Sequence, residues 1–278
     1  MQDTLFIRFH ELILLVYLIS IACYFYDFLN KNYRIRNFGF ITLGIVWVLQ
    51  TISLSIYINM TRHVPLNNIF DVFFALTWLI ISISIVISVI KQLNFSIFLF
   101  NIIGFTLLAL NTFQPTYNQT EGQKLTLINE LLIVHVCFAT LSYAVFAFAF
   151  VNCLLYLIQY RNLKEKRFTQ KYFRIGSVAT LEKTVFYSSL IGFILLIVST
   201  ILGAQWGVNS LDHQFVIDSK MILSIVIIVM YGLYLLCRVK QLLNKQLLIY
   251  FNIVLFGLCM VNLLFASHIP NFHQWTSL

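Results

Sequence analysis

The sequence predicts an all-α membrane protein of about eight transmembrane helices, with both termini extracytoplasmic. Three observations lead there. Of 278 residues, 60% are hydrophobic and only 10% charged, where soluble domains average about 25% charged. Apolar runs of near-bilayer length recur, each close to the roughly 20 residues a helix needs to cross about 30 Å of hydrocarbon. The runs do not alternate apolar with polar, as strands of a membrane barrel would over about 10 residues.

In chain order, the runs fall near residues 11–29, 38–58, 69–90, 95–112, 131–158, 184–202, 217–237 and 247–265. The first follows the acidic start MQDT, and its positive charges come after it, so it reads as a retained span rather than a cleaved signal. Basic residues close the odd-numbered spans: Lys31, Arg34 and Arg36 after the first, Lys91 after the third, seven between Arg161 and Lys183 after the fifth, and Arg238, Lys240 and Lys245 after the seventh. The opposite side holds Arg8, Arg62, Lys124 and Lys220. Fourteen of 18 Lys and Arg thus share one side, which the positive-inside rule makes cytoplasmic. The prolines, Pro65, Pro115 and Pro270, all lie in segments assigned to the other side.

No separate soluble domain is expected. The longest polar connection, about 159–183, is too short for a core of its own, so residues 1–278 read as one transmembrane domain. The net charge of +8 follows from topology and contact with anionic lipid heads, not from nucleic-acid binding. Cys23, Cys137, Cys153, Cys237 and Cys259 lie in or beside apolar runs without a CxxC pair. They read as small buried hydrophobes, with no disulfide.

All six histidines, His10, His63, His135, His213, His268 and His273, fall on the side assigned outward. Any site should therefore face out. Histidine is a common ligand for metals and haem iron. A haem b in a membrane protein needs axial imidazoles, flat apolar or aromatic neighbours and cations for its propionates. His135 opens span 5, His268 follows span 8, and Trp206 and Phe215 flank the connection between spans 6 and 7. Plainer roles stand beside these: His10, His213 and His273 each suit an interfacial anchor, and Trp206 suits an aromatic belt. Trp47 and Trp78 suit packing, and Asp27 suits local pairing with Arg34 and Arg36. Soluble catalytic patterns such as HExxH and GxxxxGK[ST] do not occur, so no enzyme is expected. With almost no mid-span charge, a transporter path is disfavoured.

Four segments then resemble the cytochrome c assembly family (CcsA-type, bearing the WWD signature), in family order over roughly residues 62–275. RHVPLNNIFDVFFALTW resembles GHxPLSNxYE…W at His63, Pro65, Leu66, Asn68 and Trp78. LLIVHVCFATLSYA resembles WLxxHV…SYA at His135, Val136, Ser142, Tyr143 and Ala144. GAQWGVNSLDHQFVIDSK resembles GAxWAxxxWGxYWxWDPKE, keeping Trp206, Asp218 and Lys220. NLLFASH resembles the closing NLLxxxLHSYG. Three signature tryptophans are replaced by Leu211, Phe215 and Ile217, the proline by Ser219 and the glutamate by Met221; a second, intramembrane haem histidine of the family falls at Leu236.

This pattern is similar to the HemX branch of the family. The resemblance implies a haem-binding protein of the bacterial plasma membrane that regulates haem biosynthesis by lowering glutamyl-tRNA reductase. It implies iron ligation by His135 and His268, with His63, Trp206, Phe215, Asp218 and Lys220 around the porphyrin. Asp218 and Lys220 would orient the propionates or, equally, cap span 7. The expected partners are haem, the bilayer and, at the 159–183 connection, glutamyl-tRNA reductase or a protease or adaptor. The other function the family implies is cytochrome c assembly, delivering haem to apocytochrome.

Overall fold

The computed structural model describes residues 2–61, 69–90, 93–113, 130–168, 172–210 and 219–265. They form eight long helices: α1 (Gln2–Asn30), α2 (Tyr33–Thr61), α3 (Ile69–Ile90), α4 (Asn94–Thr112), α5 (Glu130–Lys164), α6 (Val178–Ser210), α7 (Ser219–Val239) and α8 (Lys245–Phe265). A 3-10 turn at Tyr172–Arg174 lies between α5 and α6. Each long helix contains a stretch long and apolar enough to cross a membrane, as the sequence predicts.

Local chemistry sets several helix ends. Lys31 takes a left-handed conformation (φ 52°) and stops α1, and the Asn32 side chain accepts the Arg34 amide at 3.1 Å to start α2. Gln241, also left-handed (φ 55°), follows the end of α7. Four helices outrun their apolar stretches: α1, α2, α5 and α6, with 29, 29, 35 and 33 residues. At 1.5 Å per residue α5 and α6 are about 50 Å long, well past a hydrocarbon core of about 30 Å. In α5 an i,i+4 pair supports the polar extension. Arg161 meets Glu165 at 2.9 Å just at the end of α5. The connection between α5 and α6 is therefore 165–177, shorter than the expected 159–183.

Contacts divide the chain into two compact units, residues 1–116 with 158–178, and 117–157 with 179–278. In the first, α1 packs on α2 and α4, and α3 on α4 and α2. Polar side chains face inward. Tyr17 donates to Asn101 (2.8 Å), which donates to Ser84 (2.9 Å), linking α1, α4 and α3. Trp47 and Trp78 stack at 5.9 Å and donate to Ser82 and Thr51, the expected packing role. His10 is not an interfacial anchor. It is buried, bonds Ser53 (3.2 Å) and meets the Phe74 ring edge-on at 5.6 Å, because α1 extends beyond the apolar run and carries it into the bundle. Asp27 feels the charge of Arg36, as expected, though not at ion-pair distance among the described residues. Arg174 donates to the carbonyls of Asp27 and Phe28, capping the end of α1. The Gln159 amide holds the same segment through the carbonyls of Tyr172 (2.8 Å) and Gly176 (3.1 Å).

The second unit packs α5, α6, α7 and α8. Phe146 of α5 stacks on Tyr231 of α7 at 4.1 Å, and Phe150 on Phe256 of α8 at 4.6 Å. Gly192 lets α6 close on α5: a Cβ there would lie 2.6 Å from the Phe146 ring. Asn252 of α8 donates to Ser189 of α6 (2.7 Å) and accepts from Cys153 of α5 (3.5 Å). The five cysteines are free; Cys153 and Cys259 are buried, whereas Cys137 is exposed rather than buried. Buried asparagines inside and large exposed apolar side chains outside, such as Val229, Leu233, Val254 and Leu264, suit lipid as the solvent.

Candidate functional site

His135 lies in the second turn of α5 and meets α6. Its Nδ1 donates to the carbonyl of Ser199 at 2.6 Å. The Ser199 hydroxyl donates back to the His135 carbonyl at 2.9 Å and lies 3.1 Å from Nδ1. Since a backbone carbonyl only accepts, Nδ1 carries the proton, and the neutral ring has its lone pair on Nε2. A backbone carbonyl fixing the tautomer and aim of the ring is the usual support for a metal-ligating histidine.

Gly203, one turn beyond Ser199, makes room for the imidazole. A Cβ there would stand 2.6 Å from Cε1, 2.8 Å from Nδ1 and 3.2 Å from Nε2 of His135. Neither partner was anticipated from the sequence. The readable signal was small residues four apart, Ser199 and Gly203, a spacing that lets membrane helices approach closely.

Trp206 follows at the next turn and is partly buried. Positions 199, 203 and 206 are spaced four and three apart, so they share one face of α6. The sequence placed Trp206 in the connection between spans 6 and 7, whereas α6 continues through Ser210. Apolar residues thin out after Leu202, but the paired α5 gives the helix a partner beyond that point.

Tyr143, Ser224 and Asn262 fix the level of the site within this unit. Asn262 of α8 donates to the Tyr143 hydroxyl of α5 at 3.1 Å and to Ser224 of α7 at 3.0 Å. Along α5, His135 lies about 12 Å beyond Tyr143, while the described ends of α7 and α8 lie about 8 and 5 Å beyond that level. His135 thus lies nearer that end of α5 than the Tyr143–Asn262–Ser224 link does. The sequence expectations for His63, Phe215, Asp218 and His268 lie outside the described residues. Lys220 is in the first turn of α7, its side chain outside them too. Among the described residues no three metal-ligating side chains cluster.

The fold defines a polytopic α-helical membrane protein. A sequence profile of the cytochrome c assembly protein family matches residues 66–273, and the chain belongs to that family. It is 32% identical to Protein HemX of Bacillus subtilis (strain 168) over 277 residues, covering 100% of both chains. It is 30% identical to Protein HemX of Brevibacillus brevis over 266 residues, covering 96% of this chain and 97% of the relative. Family and relatives make it a haem-related, multi-pass membrane protein resembling HemX.

Proposed function

We propose that the protein binds haem b through His135 at the extracytoplasmic face of the bacterial plasma membrane, and that it acts there as a non-catalytic regulator of haem biosynthesis. The observation that carries this is the Ser199 carbonyl on Nδ1, which leaves the lone pair of His135 on Nε2. A haem iron takes a neutral imidazole through such a nitrogen. Gly203 supports the fit, because its missing side chain is the space the ring uses. Trp206, on the same face of α6, suits an apolar wall against a porphyrin. His268 is the proposed second ligand, with Phe215, Asp218 and Lys220 around the group. Bound haem would supply a redox-active iron and a large flat apolar surface.

By the charge asymmetry of the sequence, the 165–177 connection faces the cytoplasm. It exposes Phe168 and Phe173 near Lys166 and Arg167, and it is tied to α1 through Arg174. That surface is the proposed reading point for a partner that lowers glutamyl-tRNA reductase, either the reductase itself or a protease or adaptor.

Two experiments test the parts separately. Purified protein should show a Soret band that is lost or shifted in both H135A and H268A; an unchanged band in both removes the ligation. Deleting the gene should raise glutamyl-tRNA reductase, and an unchanged level removes the regulatory role. The second family function, cytochrome c assembly, is favoured only by the profile match. Deletion abolishing covalent haem attachment to apocytochrome would put it in first place. Against it, the position where the family carries an intramembrane haem histidine is Leu236, a residue that is 57% exposed.

A further inference from the structure

At the end of the second unit remote from His135, three helices meet in charge. Glu182 of α6 is buried, and both Arg238, ending α7, and Lys245, opening α8, donate to it, Lys245 at 2.7 Å. The guanidinium also sits over the Phe186 ring, 5.7 Å from its centroid.

The cluster does not balance. Two cations share one carboxylate, and a surplus positive charge next to lipid calls for an anion. The described residues of this unit hold two acids, Glu182 and Glu130, and Glu130 begins α5 at the opposite end. Among the described residues the buried Nε–H of Arg238 has no acceptor, although a buried donor normally has one. Lys245 is the open side of the cluster, with 64% of its side chain exposed.

The surface leading to these cations is apolar. Val229, Leu233 and Leu236 of α7 are exposed at spacings of four and three, and Leu247, Tyr250 and Val254 of α8 at spacings of three and four. Each set forms one helical stripe. The two helices pack together, with Tyr234 meeting Phe251 edge-on at 6.1 Å. Both stripes run up to the cation pair.

We propose that Arg238 and Lys245, organised by Glu182, form a specific seat for the phosphate of an anionic phospholipid whose acyl chains lie along the α7–α8 stripes. The apolar track selects a lipid over a free phosphate. Glu182 holds the two cations from different helices at one point, so the seat is a fixed site rather than a diffuse basic rim.

The experiment compares the purified full chain in micelles with dioleoylphosphatidylglycerol or dioleoylphosphatidylcholine, reading the thermal midpoint and the lipids retained in native mass spectra. Phosphatidylglycerol should raise the midpoint by roughly 5 °C at saturation and stay bound, and phosphatidylcholine should do neither. K245Q, at an exposed position, should lose the shift and K245R should restore it. K240Q, which removes a neighbouring lysine outside the cluster, should keep it. Equal shifts with both lipids, a shift retained in K245Q, or K240Q losing as much as K245Q would overturn the seat. Sodium phosphate giving the same shift without lipid would overturn the lipid as its occupant.

Discussion

Replacing Gly203 by alanine separates ligand binding from stability. The new Cβ would lie 2.6 Å from Cε1 and 2.8 Å from Nδ1 of His135. Ordinary carbon contacts are about 3.5–4.0 Å, so the ring must retreat by about 1 Å. Its 2.6 Å bond to the Ser199 carbonyl would then stretch beyond hydrogen-bond range, at a cost of about 1 kcal/mol. Exchanging glycine for alanine inside a helix returns about 1 kcal/mol. The two nearly cancel, and the thermal midpoint of G203A should stay within a few degrees of the parent. The imidazole, however, loses the partner that fixes its tautomer and direction, a change that typically weakens ligation 10–100-fold. Haem titrated into purified protein and followed at the Soret band should show that drop in G203A. A G203A protein that titrates like the parent while keeping its midpoint would refute the idea that Gly203 and Ser199 position His135 for iron.

Three further outcomes follow from packing and charge. Gln50 is buried, and among the described residues neither polar atom of its amide has a partner; since an unsatisfied buried amide costs about 1–3 kcal/mol, Q50L should raise the thermal midpoint. N252L should lower it, by about 1–3 kcal/mol of stability, because it removes the Asn252 bonds to Ser189 and Cys153 in the second unit. In a background with the native cysteines replaced, K166C should react with an impermeant maleimide only after the cells are opened; labelling in intact cells would reverse the topology drawn from the charge count.

Hydropathy made the helices legible, since lipid demands long apolar runs and each run became a helix. It could not show where the helices end. Backbone hydrogen bonding continues through polar residues such as Asn162 and Gln205 wherever a pair or a neighbouring helix supports it. That is why Trp206, Glu182 and His10 took structural places their sequence contexts did not suggest. His135 was legible because imidazole is rare and carries recognisable chemistry. Ser199 was not, since what it supplies is a backbone carbonyl, which every residue has, and 64 residues separate it from the ring it holds. The Glu182 cluster was hidden likewise: its three members look like loop charges until three helix ends converge.

The inward-facing polar side chains limit how this chain can vary. Tyr17, Asn101 and Ser84 tie three helices of the first unit, and Asn252, Ser189 and Cys153 tie three of the second. Hydrocarbon offers no water to take over a broken bond, so one member of such a set cannot drift to an apolar residue while its partners stay polar. Each set is expected to change together or to be kept together.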